Sequence, residues 1–146
     1  MTAFRRRVAD LAGLAEEDLH RLAGGDLSEV LRVEREDGHV SVAKGGPAIA
    51  TEAAMLRALA AAGIPAPAVE AEHDGVMLIE HVGHDGLFNA RAWADIGAVV
   101  ARLHSSLAET YGWPVDYALD TVQLDTRRSA DWPAFWGEQR LVATAT

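Results

Sequence analysis

The chain has no cysteine, which excludes a disulfide framework and a thiolate zinc site and suits a reducing cytoplasm. Lysine is almost absent too: of thirteen basic residues, twelve are arginine and one is Lys44. Positive charge is scarce overall, with a formal charge of −9 and no basic run beyond Arg5 to Arg7. A nucleic-acid partner is therefore not expected, because phosphate neutralisation needs a concentrated Lys/Arg face. No apolar run reaches the roughly 18 residues that a membrane helix needs. Residues 1–13 also lack the apolar centre of a signal peptide, so the expectation is a soluble cytoplasmic protein with no membrane partner. What is present is a chain of 146 residues, 49% of them apolar, enough for one packed core and short for two independent ones.

The organising stretch is GGDLSEVLRVEREDGHVSVAK, from Gly24 to Lys44. Gly24-Gly25 turns the chain between two strands, the first at Asp18 to Ala23. Ser28 to Arg35 and His39 to Lys44 form a hairpin around Asp37-Gly38. Period-two alternation puts Val40, Val42 and Lys44 on one face, two apolar side chains and an ammonium looking into the same space. Upstream, Thr2 to Gly13 reads as a short helix covering a sheet edge, with Phe4, Val8 and Leu11 on its stripe. Downstream, Ala48 to Ala62 is a helix stopped by Gly63 and Pro65, with Met55, Leu56, Leu59 and Ala62 on its apolar stripe. Glu52 falls on that stripe and needs a cationic partner if buried, for which Lys44 is the nearest candidate. An ordinary first-turn acid favoured by the helix dipole would look the same in sequence.

Two further strands, Ala68 to His73 and Val76 to His81, flank Asp74-Gly75, and the second is apolar enough to be covered on both faces. Gly83 to Gly86 reads as a linker. Asn89 then caps a helix running to Glu109, with Trp93, Ile96, Val100, Leu103 and Leu107 on one stripe. Irregular turns follow until Asp131 can cap a last helix. This order suggests an antiparallel sheet with helices on one side. The histidines suggest no metal site: His81 and His84 straddle Gly83, and His104 lies on the long helix. Trp93, Trp113, Trp132 and Trp136 read as core and inter-lobe packing in preference to a sugar platform, and Arg127-Arg128 as a solvated turn.

The stretches GGDLSEVLRVEREDG, SVAK, EAAMLRALAAAGIPAP, LIEHV, DIGAVVARLHSS and above all YGWPVDYALDTVQLDTRRSADWPAFWGEQRL resemble the fructosamine-3-kinase (ketosamine kinase) family, a branch of the aminoglycoside-phosphotransferase and protein-kinase-like superfamily. The resemblance runs from about Val8 to Leu141. It implies an α+β fold: a protein-kinase-like N-lobe with an antiparallel sheet of about five strands plus a helix, followed by the first helices of a C-lobe. The implied division is a nucleotide-binding lobe with hinge over 1–82 and a linker with a partial helical lobe over 83–146.

It also implies roles. Gly24, Gly25, Asp26, Leu27 and Ser28 would form the loop over the ATP phosphates, where glycine lets backbone N–H groups approach oxygens. Val30 and Val42 would roof the adenine. Lys44, held by Glu52, would pair with the α- and β-phosphates. Glu80, His81 and Val82 would be the hinge whose backbone reads the adenine edge. The expected partners are ATP, Mg²⁺ and a sugar-amine or glycated small molecule. An association through an uncovered inter-lobe surface is a further expectation.

Two departures from the family matter. GGPAIAT joins Lys44 to the helix by a shorter connection than the family uses, which bears on where Glu52 falls. No H-G-D or H-R-D segment with a downstream Asn occurs, and His104 and Asp125 lack the spacing, so neither a base aspartate nor magnesium ligands are expected in this chain. The expected activity is nucleotide binding without turnover. Two alternatives are a related phosphotransferase acting on an aminoglycoside or choline-like acceptor, and a non-catalytic nucleotide-binding or interaction module.

Overall fold

A computed structural model describes residues 2–22, 29–83, 86–119, 122–143 and 145. Two compact units divide at Leu103 and His104. The first holds a five-stranded antiparallel sheet in the order β1-β2-β3-β5-β4, made of β1 (Leu19–Arg21), β2 (Val30–Glu34), β3 (Val40–Gly45), β4 (Val69–His73) and β5 (Val76–Glu80). Both tight hairpins turn where Asp-Gly predicts: Gly38 has φ 81°, and Asp74 and Gly75 have φ 47° and 71°. At Asp74-Gly75 both central residues have positive φ, the type I′ condition, which matches the natural twist of paired strands; at Asp37-Gly38 the glycine alone does.

Helix α1 (Ala3–Ala12) starts at Thr2, whose Oγ1 accepts from the Arg5 N–H, and ends at Gly13 in the left-handed region. It lies on a face of the sheet, where an edge was expected. Phe4, Val8 and Ala9 pack with Leu19, Leu31, Val33, Ala43, Val76 and Leu78. Helix α2 (Ile49–Ala61) covers the opposite face through Ile49 and Ala53 against Met77, with Leu56, Val69 and Ile79 beside them. The helices therefore sandwich the sheet instead of sharing one side. The reason is that β5 is apolar at consecutive positions, so Val76 and Leu78 need one cover and Met77 another. Ala62, expected on the α2 stripe, is exposed, since the buried line runs through Ile49 and Ala53. A register shift between Val69 and Ala71 lets β4 feed both layers, Val69 packing on the α2 side and Ala71 on the α1 side.

Gly45 closes β3 against α1. A Cβ there would lie 2.4 Å from the Phe4 ring, and Phe4 is itself only 8% exposed, so the ring cannot simply swing away. Gly45→Ala is expected to destabilise the first unit by about 1–3 kcal/mol, read as a lowered Tm with an unchanged far-UV spectrum at low temperature. At the other end of β3, Ser41 is buried yet satisfied, donating to Glu70 Oε2 at 2.6 Å and accepting from Arg35 Nη1 at 2.9 Å. His39 Nε2 meets the other Glu70 oxygen at 2.9 Å. Desolvation alone would push the Glu70 carboxyl up. Hydrogen bonds from Ser41 and His39, with the charges of His39 and Arg35, outweigh it and hold the group below the usual carboxylate range.

Helix α3 (Ala90–Ser105) starts at Asn89, whose Oδ1 accepts from the Ala92 N–H at 3.0 Å, and ends four residues before Glu109. Its expected stripe is present but exposed, from 40% at Leu103 to 62% at Trp93. In the second unit, where irregular turns were expected, β6 (Tyr117–Leu119) and β7 (Val122–Leu124) form a hairpin. Thr126 anchors it, donating its hydroxyl to the Val115 carbonyl at 2.8 Å while its N–H reaches Asp116 Oδ1 at 3.1 Å. Gly112, at φ 111°, sits where a Cβ would be 2.5 Å from the Thr126 carbonyl oxygen. A π-type helix over Ala134–Val142 follows. Trp132 and Trp136 stack at 5.3 Å and 12°, and Tyr111 meets Trp132 at 5.0 Å. Trp93, Trp132 and Trp136 are 46–62% exposed, and Trp132 packs on the rings of Tyr111, Phe135 and Trp136.

Candidate functional site

The alternation of β2 and β3 decides what the α2 side of the sheet presents. Directly opposed antiparallel residues share a face, so the pairs Val30↔Lys44 and Lys44↔Met77 make one rung of side chains. The pairs Arg32↔Val42 and Val42↔Ile79 make the next, about 7 Å along the strands. Because α2 packs on Met77 and Ile79, its cover falls on the β5 side of this face, and Val30, Arg32, Val40 and Val42 on β2 and β3 remain half-buried. The result is a strip of valines with an ammonium at one end.

That ammonium is held. Lys44 Nζ donates to Glu52 Oε2 at 2.5 Å, with the two side chains 30% and 19% exposed. The short GGPAIAT connection therefore reaches far enough: Gly46 N–H bonds to the Gly75 carbonyl at 3.2 Å, and α2 starts at Ile49. Glu52 lies in the first turn of α2, where the exposed N–H groups also favour a carboxylate. The dipole reading and the lysine-partner reading both hold for this one side chain. A second ion pair, Arg57 to Glu72 at 2.8 Å, fastens α2 to β4 and so helps fix where Glu52 points.

Beyond the strip, Glu80 ends β5. Its N–H donates to the Ala68 carbonyl at 2.9 Å, and its carboxylate accepts from the Ala68 N–H at 3.2 Å. His81 and Val82 have left the sheet and are exposed, Val82 by 55%. Gly24, Gly25, Asp26, Leu27 and Ser28 lie outside the described residues, as does His84. Val30, Val42, Lys44 and Glu52 are thus brought together on one face, and Glu80 follows on the strand beside β3. Sequence reasoning passed over Arg32, which alternation alone places beside Val42.

Among the described residues, no three His, Asp or Glu side chains converge as a metal-binding group. No helix among them is long and apolar enough to cross a membrane. A cleft of about 350 Å³ where α1 meets the β4–β5 turn is lined by Arg7, Asp10, Leu11, His73 and Asp74. Its mixed charges and the Arg7–Asp74 pair at 3.9 Å select no ligand, and it is lined by α1, on the side of the sheet opposite α2.

The chain matches the sequence profile of the fructosamine kinase family over residues 4–145. A comparison with curated protein sequences finds no match. Among solved structures, the fold is similar to that of a candidate fructosamine-3-kinase from Thermobifida fusca YX-ER1, with a TM-score of 0.77 and 25% identity over 94% of this chain and 51% of that one. It is also similar to a candidate fructosamine-3-kinase from Haemophilus somnus 129PT, with a TM-score of 0.73 and 18% identity over 93% of this chain and 50% of that one. The chain spans about half the length of these structures.

Proposed function

Because the chain belongs to the fructosamine kinase family, we propose that it is the nucleotide-holding part of an ATP-dependent phosphotransferase whose acceptor is the 3-hydroxyl of a ketosamine. The observation that carries this reading is the Lys44–Glu52 ion pair at the end of an open, valine-lined sheet face. A triphosphate has charge to neutralise and a base to desolvate, and this face offers one group for each task. Lys44 meets phosphate oxygens as a compact point charge, Glu52 keeps it extended over the face, and Val30 and Val42 cover the base. The Glu80 N–H is already committed to Ala68, so reading of the adenine edge falls to the backbone around His81 and Val82. When bound, ATP supplies the phosphoryl group; this chain's residues hold and orient it.

The same reading makes the chain a binder without turnover. No H-G-D or H-R-D segment with a downstream asparagine occurs in the sequence, which supports this reading. We therefore assign acceptor activation and the magnesium ligands to the half of the relatives' length that this chain does not span. The exposed stripe of α3 supports association with such a segment.

The test is to incubate the purified chain with ATP, Mg²⁺ and a fructosylated amine and follow the phosphorylated product by ³¹P NMR. Nucleotide binding without product is expected. Product formed by a preparation free of other kinases would refute the division of labour, and absence of any nucleotide binding would refute the reading itself.

A further inference from the structure

The second rung of the open face contains an arginine where a purely apolar roof would need none. Arg32 stands directly opposite Val42, which stands opposite Ile79. It is one rung from Lys44, and its side chain is only 33% exposed. Its guanidinium pairs with Glu34 two positions on, on the same face by alternation. The pair ties the arginine along the strand, which limits its rotamers and leaves the planar group beside the valine strip.

Resting on the reading of this face as a nucleotide site, we propose that Arg32 is a base-recognition residue: its guanidinium stacks on the purine held under Val30 and Val42, with Glu34 keeping it in plane. The rung spacing separates the tasks. Lys44 lies at the phosphate end and Arg32 one rung away, about 7 Å along the strands, beside the valine that would cover the base. A guanidinium is flat, weakly hydrated and attracted to the face of an aromatic ring, so it suits the wide purine surface better than it suits a bare valine neighbour. The ligand class is a purine nucleotide, and the arginine adds selectivity for purine over pyrimidine.

The experiment titrates the full chain, its Arg32→Gln, Arg32→Lys and Lys44→Ala variants with Mg-ATP, Mg-CTP and magnesium tripolyphosphate, using ¹H–¹⁵N spectra to follow weak binding. Arg32→Gln is expected to lower ATP affinity about tenfold, narrow the ATP/CTP preference and leave tripolyphosphate binding unchanged. Arg32→Lys is expected to resemble Arg32→Gln, because it keeps charge and loses the plane. In the wild type, adenosine alone is expected to shift the Arg32 Nε–H resonance, a readout that needs no variant to fold. Unchanged ATP affinity in Arg32→Gln overturns the proposal. So does an equal loss for ATP and tripolyphosphate, or full rescue by lysine. Lys44→Ala binding ATP like the wild type, or a wild type that binds no ATP, instead overturns the nucleotide reading beneath it.

Discussion

Leu78→Ala is expected to destabilise the first unit by about 2–5 kcal/mol, lowering Tm by about 10 °C or more. Leu78 is fully buried on β5, which pairs with β3 on one side and β4 on the other. Its side chain belongs to the layer formed by Phe4, Val8, Leu31, Val33 and Ala43. Truncation removes three carbons from the centre of that layer, and paired strands on both sides keep the backbone from collapsing into the space. The contrast is Leu107, which is 91% exposed; Leu107→Ala should change stability by no more than about 0.5 kcal/mol. Thermal unfolding followed by circular dichroism checks both. Equal effects from the two would mean that the sheet core does not sit where β5 and α1 meet.

Lys44→Ala is expected to reduce ATP affinity about ten- to hundredfold, the equivalent of one charged hydrogen-bond set to phosphate at about 1.5–3 kcal/mol. The lysine is partly exposed and lies on the open half of the face, so its loss should leave the fold intact. Glu52 would then lose its cation but keep the first-turn N–H groups of α2 nearby. Glu52→Gln should weaken ATP binding less, because it loosens the lysine without removing the charge that meets the phosphates. Calorimetric titration ranks the two variants. A ranking with Glu52→Gln the more damaging would show that the carboxylate does more than hold Lys44.

Local chemistry made much of this legible. Asp37-Gly38 and Asp74-Gly75 specify their turns through positive φ, and Thr2, Gly13 and Asn89 bound their helices through hydrogen bonds that any reader of caps can anticipate. The Lys44 and Glu52 contact was readable as a need, a half-buried acid requiring a cation, and the fold meets it. Which side of the sheet each helix takes was harder to read. The stripe of Phe4, Val8 and Leu11 says that α1 packs, but not against what. The missing clue was β3 itself: Ser41 and Ala43 are the fully buried positions, small residues beneath α1, while the larger Val40 and Val42 face the open side.

The β6–β7 hairpin escaped for a different reason. Its strands are three residues each and separated by Asp120-Thr121, so the alternation is too short to stand out. What holds it is Thr126 returning to Val115 and Asp116, a contact no local pattern announces. The tryptophans were legible as packing residues by type, but not which rings they meet: Trp132 and Trp136 stack on one another.

The central claim is that the open face of β2 and β3 holds a nucleotide, and an amide-resolved titration of the wild-type chain with Mg-ATP tests it most directly. The account predicts shifts concentrated at Val30, Arg32, Val42, Lys44, Glu52 and Val82, with Lys44 among the largest. Shifts confined to the Arg7, His73 and Asp74 cleft, or none at saturating ATP, would contradict it.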